Sequence, residues 1–437
     1  MKVLKFGSAS IATAEKIGHV ATIATQERGN IIVLSSMRGT AEALAEISDY
    51  LYKKNQEGAI EIINRLQSHF QNLVSELFVN QDAKSQADQF IEDKFNHIRS
   101  FTKDLFTLFE ERVVMAQGEL ISSELFYIYL KQKGLNVVLL PALDFMRTDK
   151  NSTPDPVYIK DKLSALLNAS EGADIYITQG YICRNAYGEI DDLHRGGSDY
   201  TASLIGAAVS AEEIQIWADV DVMQNNDPRY VKDTTPVRQL NFDEAAELAY
   251  FGAKILHPTC ISPAKLSNIP VRLKNMQKPE APGTVISNAI EPHTIKAIAA
   301  KENITAIKIK SGRMLLAHGF LRRVFEVFEN YQTSIDMLTT SEIGVSLTID
   351  NDRNLQHILD DLKKYGTVST DSNMVIISVV GDLNFEDAQL AAKILDAVKD
   401  ISVRMVSYGG SKYNFSFLIQ RKDKEKTLQI LNDKLFN

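Results

Sequence analysis

Cysteine is almost missing from this chain. Its two cysteines, Cys183 and Cys260, lie far apart and form no C-x-x-C, which leaves no basis for a disulfide framework or a thiolate zinc site. The eight histidines include no H-E-x-x-H pair. No apolar run approaches the roughly 20 residues needed to span a bilayer, and residues 1–6 lead into a strand instead of a basic-then-apolar leader. Positive charge is short as well, and a formal net charge of -8 argues against a nucleic-acid binder that relies on general basicity. The expectation is a cytoplasmic protein with neither a membrane nor a nucleic acid as partner. What is present is ordinary for a globular protein: 437 residues, 44% hydrophobic and 24% charged, with room for roughly three domains at about 150 residues each.

Strand candidates alternate with helical stretches through the first two-thirds: Val3-Phe6, Ile31-Leu34, Val137-Leu140, Ile175-Thr178, Ile214-Ala218 and Val271-Leu273. That alternation predicts an α/β sandwich around a mainly parallel sheet. Within a helical region of about 41-134, Ile63, Leu66, Phe70, Leu73 and Leu77 form one apolar stripe, which puts the adjacent His69 on a helix surface. After the Pro-rich stretch 279-283 the elements become shorter, and two modules of strands and helices can be counted. The first runs from a strand at Thr305-Ile309 through strands at Thr333-Leu338 and Gly344-Ile349 to a short strand at Gly366-Ser369. The second starts with a strand at Val375-Val380 and is one strand short, a gap that Ile295-Ala300 can fill.

The chain opens MKVLKFGSAS, where an apolar strand carries Lys5 and then enters a turn of small residues. Such a turn at a helix N-terminus offers free N–H groups and a positive dipole end to an anion, phosphate above all. On this stretch alone a plain βα connection with a solvated lysine stays equally open, because neither the P-loop nor the G-x-G-x-x-G spacing is met. The densest polar stretch is LHRGGSDYTASLIGAAV, residues 193-209. There Arg195 and Asp199 offer opposite charges across two glycines, a combination suited to a zwitterion as well as to simple helix capping. Farther on, Asp219 and Asp221 follow an apolar strand, then come Asp227-Pro228-Arg229, and Lys254 follows a Phe-Gly pair. Phosphoryl transfer needs cations around the moving group, and Lys5, Arg229 and Lys254 can supply them.

Together, KFG, GELIS at 118-122, HRGGSDYTA at 194-202, WADVD with DPRYV at 217-231, FGAKILHP at 251-258 and IPVRLKN with PEAPGTVI at 269-286 resemble the aspartokinases of the amino acid kinase family. The segments GFLRRVFEVF, SIDMLTTSEIGVSLTID, NMVIISVVGD and ISVRMVSYGGS resemble that family's paired ACT modules, so the likeness runs through nearly the whole chain in order. The resemblance implies a catalytic amino acid kinase domain over 1-290, a first βαββαβ ACT module over 302-370, and a second over 294-301 plus 372-437. It implies Mg2+-ATP as phosphate donor, L-aspartate as acceptor, lysine or threonine as feedback effector, and a homodimer formed through the ACT modules. By analogy Lys5 neutralises the phosphoryl group in flight, Gly7 cradles it, and Asp199 lies beside them. Arg195 pairs with the aspartate α-carboxylate and Glu119 with its amine, with Ser35 and Ser198 nearby. Asp219, Asp227, Arg229 and Lys254 are on the nucleotide side, and Met314, Asp336, Ser341 and Glu342 are at the effector site. No resident metal is expected. The acceptor carboxylate, with a reference pKa of about 3.9, is already ionised and needs no general base.

The departures from the family pattern cluster in the active site. Ser8 and Ala9 replace Gly-Thr after Gly7, Ala41 replaces a substrate-holding threonine, Ala218 replaces the threonine of Trp-Thr-Asp-Val, and His194 replaces the glycine before Arg195. Three lost hydroxyls at ~1 kcal/mol each would lower turnover well over tenfold without abolishing it. Two alternatives therefore accompany the aspartokinase reading: a kinase acting on another acidic metabolite, and a catalytically weak amino-acid sensor built on the ACT modules.

Overall fold

A computed structural model of the chain describes residues 1–103, 105–194, 196–219, 223–252, 258–311, 318–383 and 388–436. Among the expected site residues, Arg195, Lys254 and Met314 lie outside these described residues. The strands are β1 (Val3–Phe6), β2 (Asn30–Leu34), β3 (Val137–Leu139), β4 (Ile175–Gln179), β5 (Ile182–Arg184), β6 (Ile190–Asp192), β7 (Ile214–Ala218), β8 (Gln239–Asn241), β9 (Val271–Asn275), β10 (Thr284–Ser287), β11 (Ile295–Lys310), β12 (Leu338–Ser341), β13 (Gly344–Ile349), β14 (Thr367–Gly381), β15 (Met405–Tyr408) and β16 (Asn414–Gln420). The chain divides into two compact units, 1–223 with 256–288, and 224–255 with 289–437. Residues 224–255 thus group with the C-terminal unit.

In the first unit the strands lie in the order β3-β4-β2-β1-β7-β9-β10. All neighbours are parallel except β9 and β10. The strands are Val- and Ile-rich and buried on both faces, as a parallel sheet covered by helices requires. The helical region resolves into four helices, Thr40–Tyr52, Gln56–Leu77, Gln81–Ser100 and Leu108–Gln132. Asn55 caps the second, and a Thr107–Glu110 capping box starts the fourth. The stripe from Ile63 to Leu77 is buried in their shared core and His69 is exposed, as its spacing requires.

β2 lies on one side of β1 and β7 on the other, so the chain winds outward one way and returns to wind the other. The carboxyl ends of β1 and β7 therefore flank a topological switch point, where open α/β sheets leave a crevice for ligands.

The second unit carries a six-stranded sheet in the order β12-β13-β11-β14-β16-β15, with every neighbouring pair antiparallel. Helices Phe320–Asn330 and Leu355–Leu362 cover a core around Ile307 and Leu347, and helices Ala388–Ala397 and Lys424–Leu435 cover one around Val379 and Phe417. Sequence reading treats Ile295-Ala300 and Thr305-Ile309 as separate strands, yet both belong to β11. The ladder to β14 continues past register shifts near Lys301 and Ile304, with Asn303 (φ 59°) and Asn373 (φ 57°) in the left-handed conformation that asparagine tolerates. The strand expected at Thr333-Leu338 is displaced to Leu338–Ser341. Before it, the Asp336 side chain is buried against Lys301 instead of alternating with solvent as in a regular edge strand.

Candidate active site

The turn after β1 begins at Gly7 and becomes a short 3-10 helix, Ser8–Ile11. Gly7 lies close to Lys5, since an added Cβ would sit 3.4 Å from its Nζ, at contact distance. Lys5 Nζ is 2.7 Å from Asp199 Oδ1 with both side chains largely buried, so the lysine of the opening turn is held in place and not solvated. Asp199 sits in the first turn of helix Gly197–Val209, where the macrodipole favours a negative charge. Gly196 enters that helix with φ 76°, and a Cβ there would meet Cys260 Sγ at 1.9 Å, so only glycine fits.

Ser35, directly after β2, hydrogen-bonds through its hydroxyl to that of Ser198. A Cβ on Gly180 would lie 2.2 Å from the Ser198 Cβ, so the end of β4 packs directly against the helix start. Lys5, Gly7, Ser35, Ser198 and Asp199 are thereby gathered at the carboxyl edge of the sheet. Glu119 joins them from helix Leu108–Gln132: Ser36 N donates to its Oε1 at 3.3 Å, and Met37 N donates to Ser122 Oγ at 2.9 Å one turn on. Burial pushes the Glu119 carboxyl up to about 7, only partly offset by its hydrogen bonds.

A cleft of about 240 Å³ is lined by Arg112, Met115, Tyr181, Asp191, Asp192 and His194. Within it Arg112 is 3.1 Å from Asp191, and His194 Nδ1 is 2.7 Å from Asp192. His194 adopts φ 53°, the conformation a glycine would take freely, and its backbone N–H donates to Asp192 Oδ1 at 2.6 Å. The replacement of glycine here is therefore held by a local partner. Burial, then Asp192, raises the Tyr181 phenol well above its usual value.

Asp219 follows β7 at the switch point, and its Oδ1 is buried with no hydrogen-bond partner among the described residues. In the second unit Asp227 and Arg229 pair with each other at 2.6 Å. Asp336 is already partnered within the chain: its Oδ1 accepts from Lys301 Nζ at 2.6 Å and from Tyr250 OH at 3.0 Å. Its Oδ2 is buried without a hydrogen-bond partner among the described residues. Lys301 also reaches Asp350 at 2.9 Å and lies over the Tyr250 ring. Ser341 and Glu342 are exposed at the far end of β12, in the turn to β13.

Sequence reasoning missed three groups. Lys16 reaches Asp219 and the Ala9 carbonyl, although its place on helix Ala14–Ala24 carries no motif. Thr40, one residue before Ala41, keeps a buried hydroxyl with no partner among the described residues, so a threonine shifted by one was the available signal. The acids of β6, Asp191 and Asp192, belong to none of the quoted motifs.

The model of the amino acid kinase family matches residues 1–275, and that of the ACT domain matches residues 377–435. Aspartokinase 1, chloroplastic, of Arabidopsis thaliana is 33% identical, with 99% of this chain and 80% of the relative covered. Lysine-sensitive aspartokinase 3 of Escherichia coli is 28% identical over 99% of both chains. Two solved structures of E. coli aspartokinase III cover the whole of both chains: the complex with aspartate and ADP at a TM-score of 0.83 and 28% identity, and the complex with lysine and aspartate at 0.85 and 29%.

Proposed function

Because this chain belongs to the aspartokinases of the amino acid kinase family, we propose that it transfers the γ-phosphoryl group of Mg2+-ATP to the side-chain carboxylate of L-aspartate. The observation that carries this reading is the gathered set at the switch point, where a largely buried Lys5–Asp199 pair stands beside Ser35, Ser198 and Gly7. One oxygen of the ionised acceptor carboxylate attacks the γ-phosphorus, the bond from phosphorus to the β-bridging oxygen breaks, and ADP departs with that electron pair. No proton has to leave the acceptor, so the transfer needs no general base. Lys5 lowers the energy of the spreading phosphoryl charge, and Asp199 holds its ammonium in place. Glu119 receives the substrate ammonium and Arg195 its α-carboxylate, while Asp219, Asp227, Arg229 and Lys254 serve the nucleotide.

Purified protein given L-aspartate, Mg2+-ATP and hydroxylamine should yield a hydroxamate, the trapped acyl phosphate. Hydroxamate from another acidic amino acid in a panel, and none from aspartate, would redirect the reading to that substrate. No hydroxamate from any of them would end the kinase reading and favour an amino-acid sensor.

The C-terminal region acts in this reading as two ACT modules, 302-370 and 294-301 plus 372-437, that join two copies of the chain and bind an inhibitory amino acid. Among the described residues no helix is long and apolar enough to cross a membrane, and the cytoplasm is the proposed location. Lysine is the proposed effector, entering beside Asp336 with Met314, Ser341 and Glu342, and it must share or displace the Lys301 ammonium there. Lysine at millimolar concentration should inhibit and raise the melting temperature together, since an effector acts by binding one state better. Asp336→Asn should abolish both effects, and Lys301→Met should tighten lysine binding by removing the competing cation. If lysine changes neither the kinetics nor the melting temperature, threonine becomes the candidate to test.

A further inference from the structure

Lys16 is the cation of the crevice for which neither the motifs nor the family pattern accounts. Helix Ala14–Ala24 starts under a Thr13 cap, and Lys16 leaves its first turn to span the gap between the two strands that flank the switch point. Its Nζ donates to the Ala9 carbonyl at 2.8 Å, in the turn after β1, and forms an ion pair with Asp219 Oδ2, directly after β7. Both anchoring points lie where the chain departs from its family: Ala9 and Ala218 stand in place of two threonines, one on each side of the bridge. The side chain keeps 33% of its surface exposed. An ammonium has three donors, and two are engaged. The other Asp219 oxygen is buried with no hydrogen-bond partner among the described residues.

We propose that Lys16 is a phosphate-binding residue of this active site, presenting its remaining donor and its charge to the ATP phosphates and serving where hydroxyls at positions 9 and 218 are missing. The proposal rests on the phosphotransfer reading. A backbone carbonyl and a carboxylate fix the ammonium at the mouth of the crevice, so less side-chain freedom is lost when a phosphate arrives than for a free lysine. Loss of an ion pair with no ligand to meet would not distinguish a nucleotide from a nucleoside.

The discriminating measurement is the affinity of the full-length protein for ATP, ADP and adenosine, in the unaltered chain and in Lys16→Met and Lys16→Arg. Lys16→Met should weaken ATP and ADP by about tenfold or more, the worth of one charge-assisted hydrogen bond, and leave adenosine binding and KM for aspartate unchanged. Lys16→Arg should recover most of the loss. Unchanged ATP affinity in Lys16→Met, or an equal loss for adenosine, overturns the proposal while hydroxamate formation by the unaltered protein keeps the phosphotransfer reading intact. Failure of the unaltered protein to bind ATP overturns both.

Discussion

Lys5→Met should lower kcat by about a hundredfold to a thousandfold with little change in KM for aspartate, the scale seen when one preorganised transition-state donor is removed. Lys5 is poised for that role, since its ammonium is fixed on Asp199 before any substrate arrives and needs little reorganisation as charge spreads over the moving phosphoryl group. The loss should exceed that of the missing charge alone. With the lysine gone, Asp199 faces the incoming phosphates as an uncompensated carboxylate in a largely buried place. Lys5→Met combined with Asp199→Asn should therefore recover part of the lost turnover relative to Lys5→Met alone. Melting temperatures of both variants, read beside the kinetics, separate loss of catalysis from loss of folded protein. An unchanged kcat with a raised KM for aspartate would assign Lys5 to substrate binding and overturn its place on the phosphoryl group.

Glu119→Gln should abolish aspartate binding and, at the same time, stabilise the free protein above neutral pH. A carboxyl that titrates at about 7 in the folded chain and near 4.5 when unfolded is harder to ionise when buried. Between those two values the folded state holds a proton that the unfolded state has released, so this group's contribution to stability falls as pH rises from about 4.5 to about 7 and then levels off. A shift of that size corresponds to a cost on the order of 3 kcal/mol at pH 8, and glutamine avoids it while retaining an acceptor for Ser36 N. The variant should melt higher than the unaltered protein at pH 8, and the gap should close as pH is lowered towards 5. A gap that does not vary with pH would show that burial of the Glu119 charge is not its cause. In the unaltered protein, aspartate affinity should decline as pH falls below about 7, because the substrate ammonium needs an ionised partner and a protonated Glu119 is none. This stored cost is what makes an acid useful in a dry pocket: the arriving ammonium recovers what folding gave up.

Much of the fold was legible in the residues because the signals are local. The apolar runs Val3-Phe6, Ile175-Thr178 and Ile214-Ala218 are long enough and bounded sharply enough to fix strands, and the stripe from Ile63 to Leu77 can face only one way on a helix. Charged positions that one ordered set of motifs carries, Lys5, Glu119 and Asp199 among them, could be named without coordinates. What the motifs leave silent is everything settled by residues distant in sequence. Lys16 meets Asp219 across 203 positions, Ser35 meets Ser198 across 163, and Asp336 is held by Lys301 and Tyr250 from two other elements. None of these pairs has a spacing or a period, since each depends on which strand lies next to which and where a helix sets its first turn. The continuity of β11 and β14 through their bulges was hidden for a related reason: a single left-handed asparagine reads as a break along the chain, whereas the ladder with its neighbour carries the strand past it. Sequence by itself determined most of the elements of the parallel sheet and the charges that motifs carry; tertiary structure alone decided which charges already have partners and brought Lys16 among them, because pairing depends on three-dimensional proximity and desolvation that no local pattern encodes.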